Sequence, residues 1–245
     1  MQTDGSVRIR ERLCEYSSCT MLGHLFHHGN GAESPAQSRV RMVEEQLRSR
    51  GIHDERLLAA MAQVPREEFI SSEDATNAYG DFPLAIGAGQ TISQPYIVAA
   101  MVEELELTPE DRVLEVGTGT GYEAAILGEL AADVWTIERH AELADKAREI
   151  LYRLGYKNVQ VLHGDGSLGL PERAPFNKIL VAAAAPRVPE TLVAQLADGG
   201  RLVVPVGSRS EQQLEVIRKL GDQISITKHD LCRFVPLVGA QGWEP

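Results

Sequence analysis

The stretch from Val113 to Tyr122, Val-Leu-Glu-Val-Gly-Thr-Gly-Thr-Gly-Tyr, has the residue types and spacing of a ligand-binding turn. Val113 to Val116 has the apolar, β-branched character of a short buried strand. Gly117, Gly119 and Gly121 follow at every second position. Because glycine lacks a Cβ, the chain can turn sharply here and a ligand can lie against bare backbone. Small and apolar residues at helical spacing come next, so the order strand, glycine turn and helix predicts a nucleotide-binding site.

Two acidic residues narrow the choice of nucleotide. The glycine spacing is G-x-G-x-G, whereas dinucleotide-binding folds use G-x-G-x-x-G to receive a pyrophosphate. Glu115, just before the turn, suits a cationic ligand, and S-adenosylmethionine fits because it carries an ammonium and a sulfonium. Glu138 closes the next predicted strand, 21 positions after Gly117, near the offset of roughly 20 residues at which an acid binds ribose hydroxyls. The alternative is a structural turn with two solvated acids.

Two further segments contain candidate site residues. Gln90-Thr-Ile-Ser-Gln-Pro95 precedes an apolar helical pattern. Ser93 or Gln94 could cap that helix, with Pro95 as its first residue, and capping alone would explain the segment. Gly164-Asp-Gly166 follows a predicted strand. Its acid can approach an adenine amino group, or the segment is a plain turn.

Composition sets limits on location and partners. The chain has 245 residues, 43% of them hydrophobic, which is ordinary for a globular domain. Its formal net charge of −11 argues against a nucleic-acid substrate. It has neither a run of 18 or more apolar residues nor a signal-peptide pattern at its start. We therefore expect a cytoplasmic protein with no membrane partner.

Residues 1–36 differ from the rest of the chain. They contain metal-ligand types at Cys14, Cys19, His24 and His27, but the spacing is wider than that of structural zinc sites. The three cysteines of the chain are too few for a disulfide framework. We therefore predict a disordered extension over 1–36, no metal site, and one domain over 37–245.

The remaining elements alternate. A helix is predicted from Arg39 to Gly51, a second from Asp54 to Pro65, and strands and helices then alternate from residue 108 to about 206. A hairpin is predicted around Gly221-Asp222. The fold class is therefore α/β, a doubly wound and mainly parallel sheet with an antiparallel edge. In such sheets ligands bind beyond the carboxyl ends of the strands, where Glu115, Glu138 and Gly164 are all predicted to lie.

Several segments together resemble known proteins. The glycine motif is similar to the first motif of class I adenosylmethionine-dependent methyltransferases. Four other segments, in this order, make the whole resemble the protein-L-isoaspartate O-methyltransferase family from about residue 39 to residue 239: Gln90–Pro95, Pro175–Pro186, Gly199–Gly207 and Arg233–Val238.

The resemblance implies a repair enzyme. It would methylate the α-carboxylate of L-isoaspartyl residues, and less well D-aspartyl residues, in damaged proteins. Ser93 matches the active-site serine, whereas Asn177 departs from the acid that the family usually carries there. We expect a monomer. The candidate cofactor-binding residues are Gln90, Thr91, Ile92, Ser93, Glu115, Gly117, Thr118, Gly119, Gly121, Glu138, Arg139, Gly164 and Asp165.

The implied chemistry needs little from the protein. A carboxylate is ionised at neutral pH, with a reference pKa near 4, and so needs no general base. Ser93 would hold it by a hydrogen bond rather than attack as a nucleophile. Three rival functions remain at this point: a methyltransferase for a small molecule or nucleic acid, a nicotinamide oxidoreductase, and a cofactor-binding module without catalysis.

Overall fold

The computed structural model describes residues 33–244. The predicted disordered extension, apart from its last four residues, and the metal hypothesis at Cys14, Cys19, His24 and His27 lie outside the described residues. The helices are α1 (Pro35–Met42), α2 (Glu55–Gln63), α3 (Pro95–Leu105), α4 (Tyr122–Leu130), α5 (Ala141–Leu154) and α6 (Glu190–Ala194). The strands are β1 (Leu84–Gly87), β2 (Gln90–Ile92), β3 (Arg112–Val116), β4 (Asp133–Glu138), β5 (Val159–His163), β6 (Phe176–Val181), β7 (Leu196–Gly207), β8 (Gln212–Leu220) and β9 (Gln223–Cys232).

The first helix begins earlier than predicted. Ser34 and Gln37 form a capping box, and Pro35 takes the first helical position. The helical path continues as a π-helical segment, Val43–Leu47, and a 3-10 turn, and it ends at Gly51 with a φ of +96°. Helical structure therefore starts before the predicted boundary at residue 36, because the capping box lies ahead of the apolar pattern on which the prediction depended.

The large sheet has the predicted architecture. Its seven strands lie in the order β5-β4-β3-β6-β7-β8-β9. The first five pair in parallel, and β8 and β9 add the antiparallel edge through the hairpin at Gly221. The chain leaves β3 towards β4 on one side and returns through β6 on the other. The carboxyl end of β3 is therefore the switch point at which ligands bind in open α/β sheets.

Strand β7 includes a segment with the composition of a turn. Asp198-Gly-Gly200 lies inside β7 and does not precede it. Leu196 already pairs with Phe176 of β6, and the pairing continues from Arg201 after a register shift. The glycines therefore accommodate an irregularity within the strand.

Apolar residues cover both faces of the large sheet. Ile179 and Val181 of β6 belong to one buried cluster, and Leu180 between them belongs to the other. This alternation is that of a strand buried on both faces. The loop that follows β3 therefore begins at a sheet that is packed on both faces.

A separate two-stranded hairpin, β1 and β2, precedes α3. It places Gln90–Ile92 in a strand, where the sequence had predicted only the approach to a helix. Among residues 33–244, no helix is both long and apolar enough to cross a bilayer.

Candidate active site

The glycine loop joins the carboxyl end of β3 to the start of α4. Gly117, Gly119 and Gly121 all have left-handed φ angles, +99°, +55° and +96°. Residues that carry a Cβ rarely adopt such backbone angles. A Cβ on Gly119 would also lie 3.1 Å from Ile86 Cδ1, in the hairpin above the loop. The loop therefore requires glycine, both for its turn and for the close approach of the loop backbone to another group.

Glu138 lies at the end of β4, next to the loop. Its side chain is almost wholly buried. Oε2 accepts from the Gly119 amide and Oε1 from the His140 amide, each across 2.9 Å. Since each carboxylate oxygen has two lone pairs, Glu138 keeps capacity to accept from the hydroxyls of a ribose.

Two small clefts border the glycine loop and share Thr91, Gly117, Gly119 and Ala182. The first, about 60 Å³, lies towards β4 and the C-terminal segment. The second, about 40 Å³, lies towards Ser93 and α4. Nine predicted site residues line one or both clefts: Gln90, Thr91, Ile92, Ser93, Gly117, Thr118, Gly119, Glu138 and Arg139.

The clefts match the cofactor in the chemistry of their lining but are smaller than a usual ligand pocket. The bare loop backbone and the acid at the end of β4 match the requirements of an adenosyl group. Both clefts are much smaller than the roughly 300 Å³ at which ligand pockets usually begin. The β2 segment and the C-terminal residues 235–238 line the first cleft. Because the two clefts share four lining residues, they are neighbouring parts of one surface along the glycine loop.

Glu115 is not brought to the clefts. It is fully buried behind the loop, where its Oε2 is hydrogen-bonded to the Thr136 hydroxyl. The Thr136 oxygen lies 2.5 Å from the hydroxyl oxygen of Thr118, which faces inwards from the loop. Burial, followed by the proximity of Glu123, raises the pKa of Glu115 well above its usual value. Glu115 therefore packs beneath the loop, and it does not line the clefts, although the sequence predicts that it contacts a cationic ligand.

Three other predicted residues also lie outside the clefts. Gly121 is the N-cap of α4, and the Gly164 amide donates to the Glu138 carbonyl across 2.9 Å. Asp165 accepts from the Ser167 amide and hydroxyl at 2.9 and 2.7 Å and from the Ala240 amide at 2.8 Å. Burial alone would raise the pKa of Asp165, but these hydrogen bonds lower it overall. Asp165 therefore anchors the C-terminal segment.

Gly166, which was not predicted as a contact, lines the first cleft in place of Asp165. A Cβ on Gly166 would lie 2.5 Å from Val116 Cγ1. Only its position between two predicted residues could have indicated it.

Ser93 is half-buried between β2 and α3. Gln94 occupies the N-cap position of α3, no side chain caps the helix, and Pro95 is its first residue. The alternative interpretation of Ser93 as a capping residue is therefore wrong. Ser93 lines the second cleft and also an open groove of about 490 Å³, so it lies where the two spaces meet.

Arg66 fixes the backbone at Ser93. Its guanidinium is wholly buried and donates to the Ser93 carbonyl across 2.7 Å and to the Ala78 carbonyl across 2.8 Å. It also lies over the ring of Tyr122, 4.7 Å from the centroid. Sequence reasoning missed this residue, because an arginine that follows a proline gives no local sign that it is buried.

The open groove has mixed charge. The Arg50 guanidinium stacks on the Tyr96 ring at 3.5 Å and pairs with Asp81 at 2.8 Å. Carboxylates of Glu103 and Glu104 and the basic groups of His229 and Arg233 also line the groove. An open groove with both signs of charge suits an extended peptide better than a small apolar molecule.

Asn177 keeps a local contact despite replacing the acid expected there. Its Oδ1 accepts from the Arg112 amide across 2.8 Å at the start of β3. An amide oxygen serves this hydrogen bond as a carboxylate oxygen would.

The parallel sheet, the glycine loop on its central strand and the acid on the neighbouring strand define a class I adenosylmethionine-dependent methyltransferase. Within that class, the chain belongs to the protein-L-isoaspartate(D-aspartate) O-methyltransferase family, whose sequence model matches residues 37–242. The expected resemblance is thereby confirmed.

Individual relatives are similar to this chain over most of its length. The protein-L-isoaspartate O-methyltransferase of Koribacter versatilis is 60% identical over 210 residues, 86% of this chain and 95% of that protein. A solved structure of a protein-L-isoaspartate O-methyltransferase is similar with a TM-score of 0.76 and 31% identity, over 83% of this chain and 67% of that one. A structure from Plasmodium falciparum is described as a protein-L-isoaspartate O-methyltransferase in complex with S-adenosyl-L-homocysteine. It is similar to this chain with a TM-score of 0.70 and 28% identity, over 80% of this chain and 96% of that one.

Proposed function

We propose that this chain transfers the methyl group of S-adenosylmethionine to the free α-carboxylate of L-isoaspartyl residues, and less well of D-aspartyl residues, in damaged proteins. The observation that carries the proposal is the place of Ser93. It lines both the cleft at the glycine loop and the open groove. A donor in the clefts and a peptide in the groove would therefore meet in front of its hydroxyl.

The two clefts divide the work of holding the cofactor. Glu138, Arg139 and Gly166 line the first cleft and would hold the adenosine. Thr118, Gly119 and Glu123 line the second cleft and would surround the methionyl end. The bound cofactor supplies a methyl group on a sulfonium, so that attack by a carboxylate oxygen yields a methyl ester while the electron pair of the C–S bond remains on sulfur.

The protein's own contribution is alignment and exclusion of water. Ser93 donates a hydrogen bond to one acceptor oxygen and leaves the other free to attack. Arg66 holds the Ser93 carbonyl and so limits the positions that the hydroxyl can take. No general base is required, since the acceptor is already ionised.

The net charge of the chain and the open groove indicate which partners the enzyme would bind. The net charge of −11 disfavours nucleic acid and acidic membrane surfaces. We further propose that the enzyme is a cytoplasmic monomer, and that its methyl esters then collapse without enzyme to succinimides.

The test of carboxyl methylation is the chemical lability of the product. Protein carrying isoaspartyl residues is incubated with the chain and S-adenosylmethionine labelled in its methyl group. We expect the label to be released as volatile methanol in mild base, as it is from an ester. Base-stable label, or preferential labelling of a nucleic acid or small-molecule acceptor, would favour the rival methyltransferase functions.

A further inference from the structure

A second buried acid lies beside the glycine loop. Glu123 is the second residue of α4, and only 8% of it is exposed. Among residues 33–244, Glu123 Oε1 has no hydrogen-bond partner, and the same holds for the nearby Thr120 Oγ1. Buried polar atoms without partners cost free energy. Two such atoms at one cleft indicate that something other than the protein completes this site.

The second cleft is where that partner would lie. Glu123 lines it together with Ser93 and the loop residues Gly117 to Thr120. Its volume of about 40 Å³ exceeds what one water molecule needs. If the methyl group is to reach an acceptor in front of Ser93, the sulfonium must lie on this side of the loop.

Burial disfavours the ionised form of Glu123 when the cleft holds no cation. Glu115 of β3 lies near enough for the two carboxyl groups to interact, Glu138 of β4 also interacts with Glu115, and the Arg66 guanidinium lies over the Tyr122 ring. Burial raises the pKa of Glu123 to about 8. The buried Glu115 nearby makes simultaneous ionisation of the two acids costly.

We propose that Glu123 is the counter-ion of the cofactor's sulfonium, losing its proton to solvent when S-adenosylmethionine binds and keeping it when S-adenosylhomocysteine binds. The two molecules differ at the sulfur, which is charged in the first and neutral in the second. Both carry the same ammonium and the same adenosine. After methyl transfer the sulfur is neutral, and Glu123 takes a proton back from solvent. Glu123 thus favours binding of the substrate form over the product form.

This inference deepens the proposed function, because it takes the second cleft as the site of the sulfonium. It also goes beyond that function. A methyltransferase that holds its cofactor by ribose and backbone contacts alone would bind both forms without moving a proton. The proton count therefore separates the two accounts.

The experiment is calorimetric titration of the full chain at pH 7 in buffers of different ionisation enthalpy, with S-adenosylmethionine and S-adenosylhomocysteine separately. From a pKa of about 8, we expect release of about 0.9 proton with the first and close to none with the second. Glu123→Gln should abolish the release and weaken binding of S-adenosylmethionine about tenfold. The same variant should change binding of S-adenosylhomocysteine less than about twofold.

The matched control is Glu129→Gln, an exposed position on the same helix, which should release protons as the unaltered chain does. No release with S-adenosylmethionine, equal release with both ligands, or release retained in Glu123→Gln would each overturn the proposal. The proton counts of the unaltered chain decide even if Glu123→Gln does not fold. Failure here would leave isoaspartyl methylation intact, whereas failure of the proposed function would appear as loss of that methylation with normal cofactor binding.

Discussion

The amide nitrogen of Gly119 lies 2.9 Å from Oε2 of Glu138 and donates a hydrogen bond to it. This bond ties the loop after β3 to the acid at the end of β4. The glycine loop and Glu138 are therefore coupled, because a shift of the carboxylate would also shift the loop backbone on which the ligand would lie.

Cofactor affinity should depend on both ends of that bond. Glu138→Ala removes the proposed ribose partner, and the loss of a hydrogen bond to a charged group costs about 1.5–3 kcal/mol, or roughly ten- to hundredfold in the dissociation constant. Gly119→Val places a β-branched residue at a φ of +55° and should be at least as damaging. Calorimetry measures both, with circular dichroism to check the fold. Glu142→Ala, an exposed acid on α5, is the control. Normal affinity in both folded variants would place the cofactor elsewhere.

Turnover should depend on Arg66 even though it does not line the clefts. Arg66→Met leaves the buried carbonyls of Ala78 and Ser93 unpaired, at a cost of about 1–3 kcal/mol each. We expect a lower melting temperature and a larger fall in kcat than in cofactor affinity. Arg66→Lys should restore part of kcat, because an ammonium can still donate to one carbonyl. A folded Arg66→Met enzyme with full kcat would show that Ser93 needs no such support.

Stability without cofactor should fall as pH rises through the neutral range. The pKa of Glu123 is raised to about 8 in the folded protein, whereas it is about 4.3 when unfolded. The unfolded chain thus binds fewer protons than the folded one between these values, so each rise in pH favours unfolding. Glu115 acts in the same direction.

The pH prediction is tested with Glu123→Gln. Its melting temperature should match that of the unaltered chain near pH 4 and exceed it at pH 8. Thermal scans across this range decide the point. Parallel curves for the two proteins would mean that Glu123 is not neutral when buried.

The sequence predicted the fold well because its signals are local. The strand that ends at Val116, the glycine loop after it and the turn at Gly221 each depend on neighbours along the chain. Backbone direction alone explains why Glu138, at the end of β4, lies beside the glycine loop. The chemical roles of Glu138 and Ser93 remain predictions.

The features hardest to predict are side chains whose partners are distant in sequence. Asp165 is held by an amide 75 residues further on, and Arg66 contacts a carbonyl 27 residues away. Glu115 was assigned to the ligand because it precedes the loop. Its orientation depends on Thr136 of the neighbouring strand, a pairing that no local pattern reveals.

The most direct test of the account is steady-state kinetics on two peptides that differ only in one isoaspartyl or aspartyl linkage, with the unaltered chain and Ser93→Ala. We expect methylation of the isoaspartyl peptide alone. A hydrogen bond to a charged group contributes roughly 1.5–3 kcal/mol, so Ser93→Ala should lower kcat/KM about ten- to hundredfold. Ser93→Thr should keep part of the activity, and cofactor affinity should change less than turnover. Equal rates on the two peptides would contradict the account, whatever Ser93→Ala does.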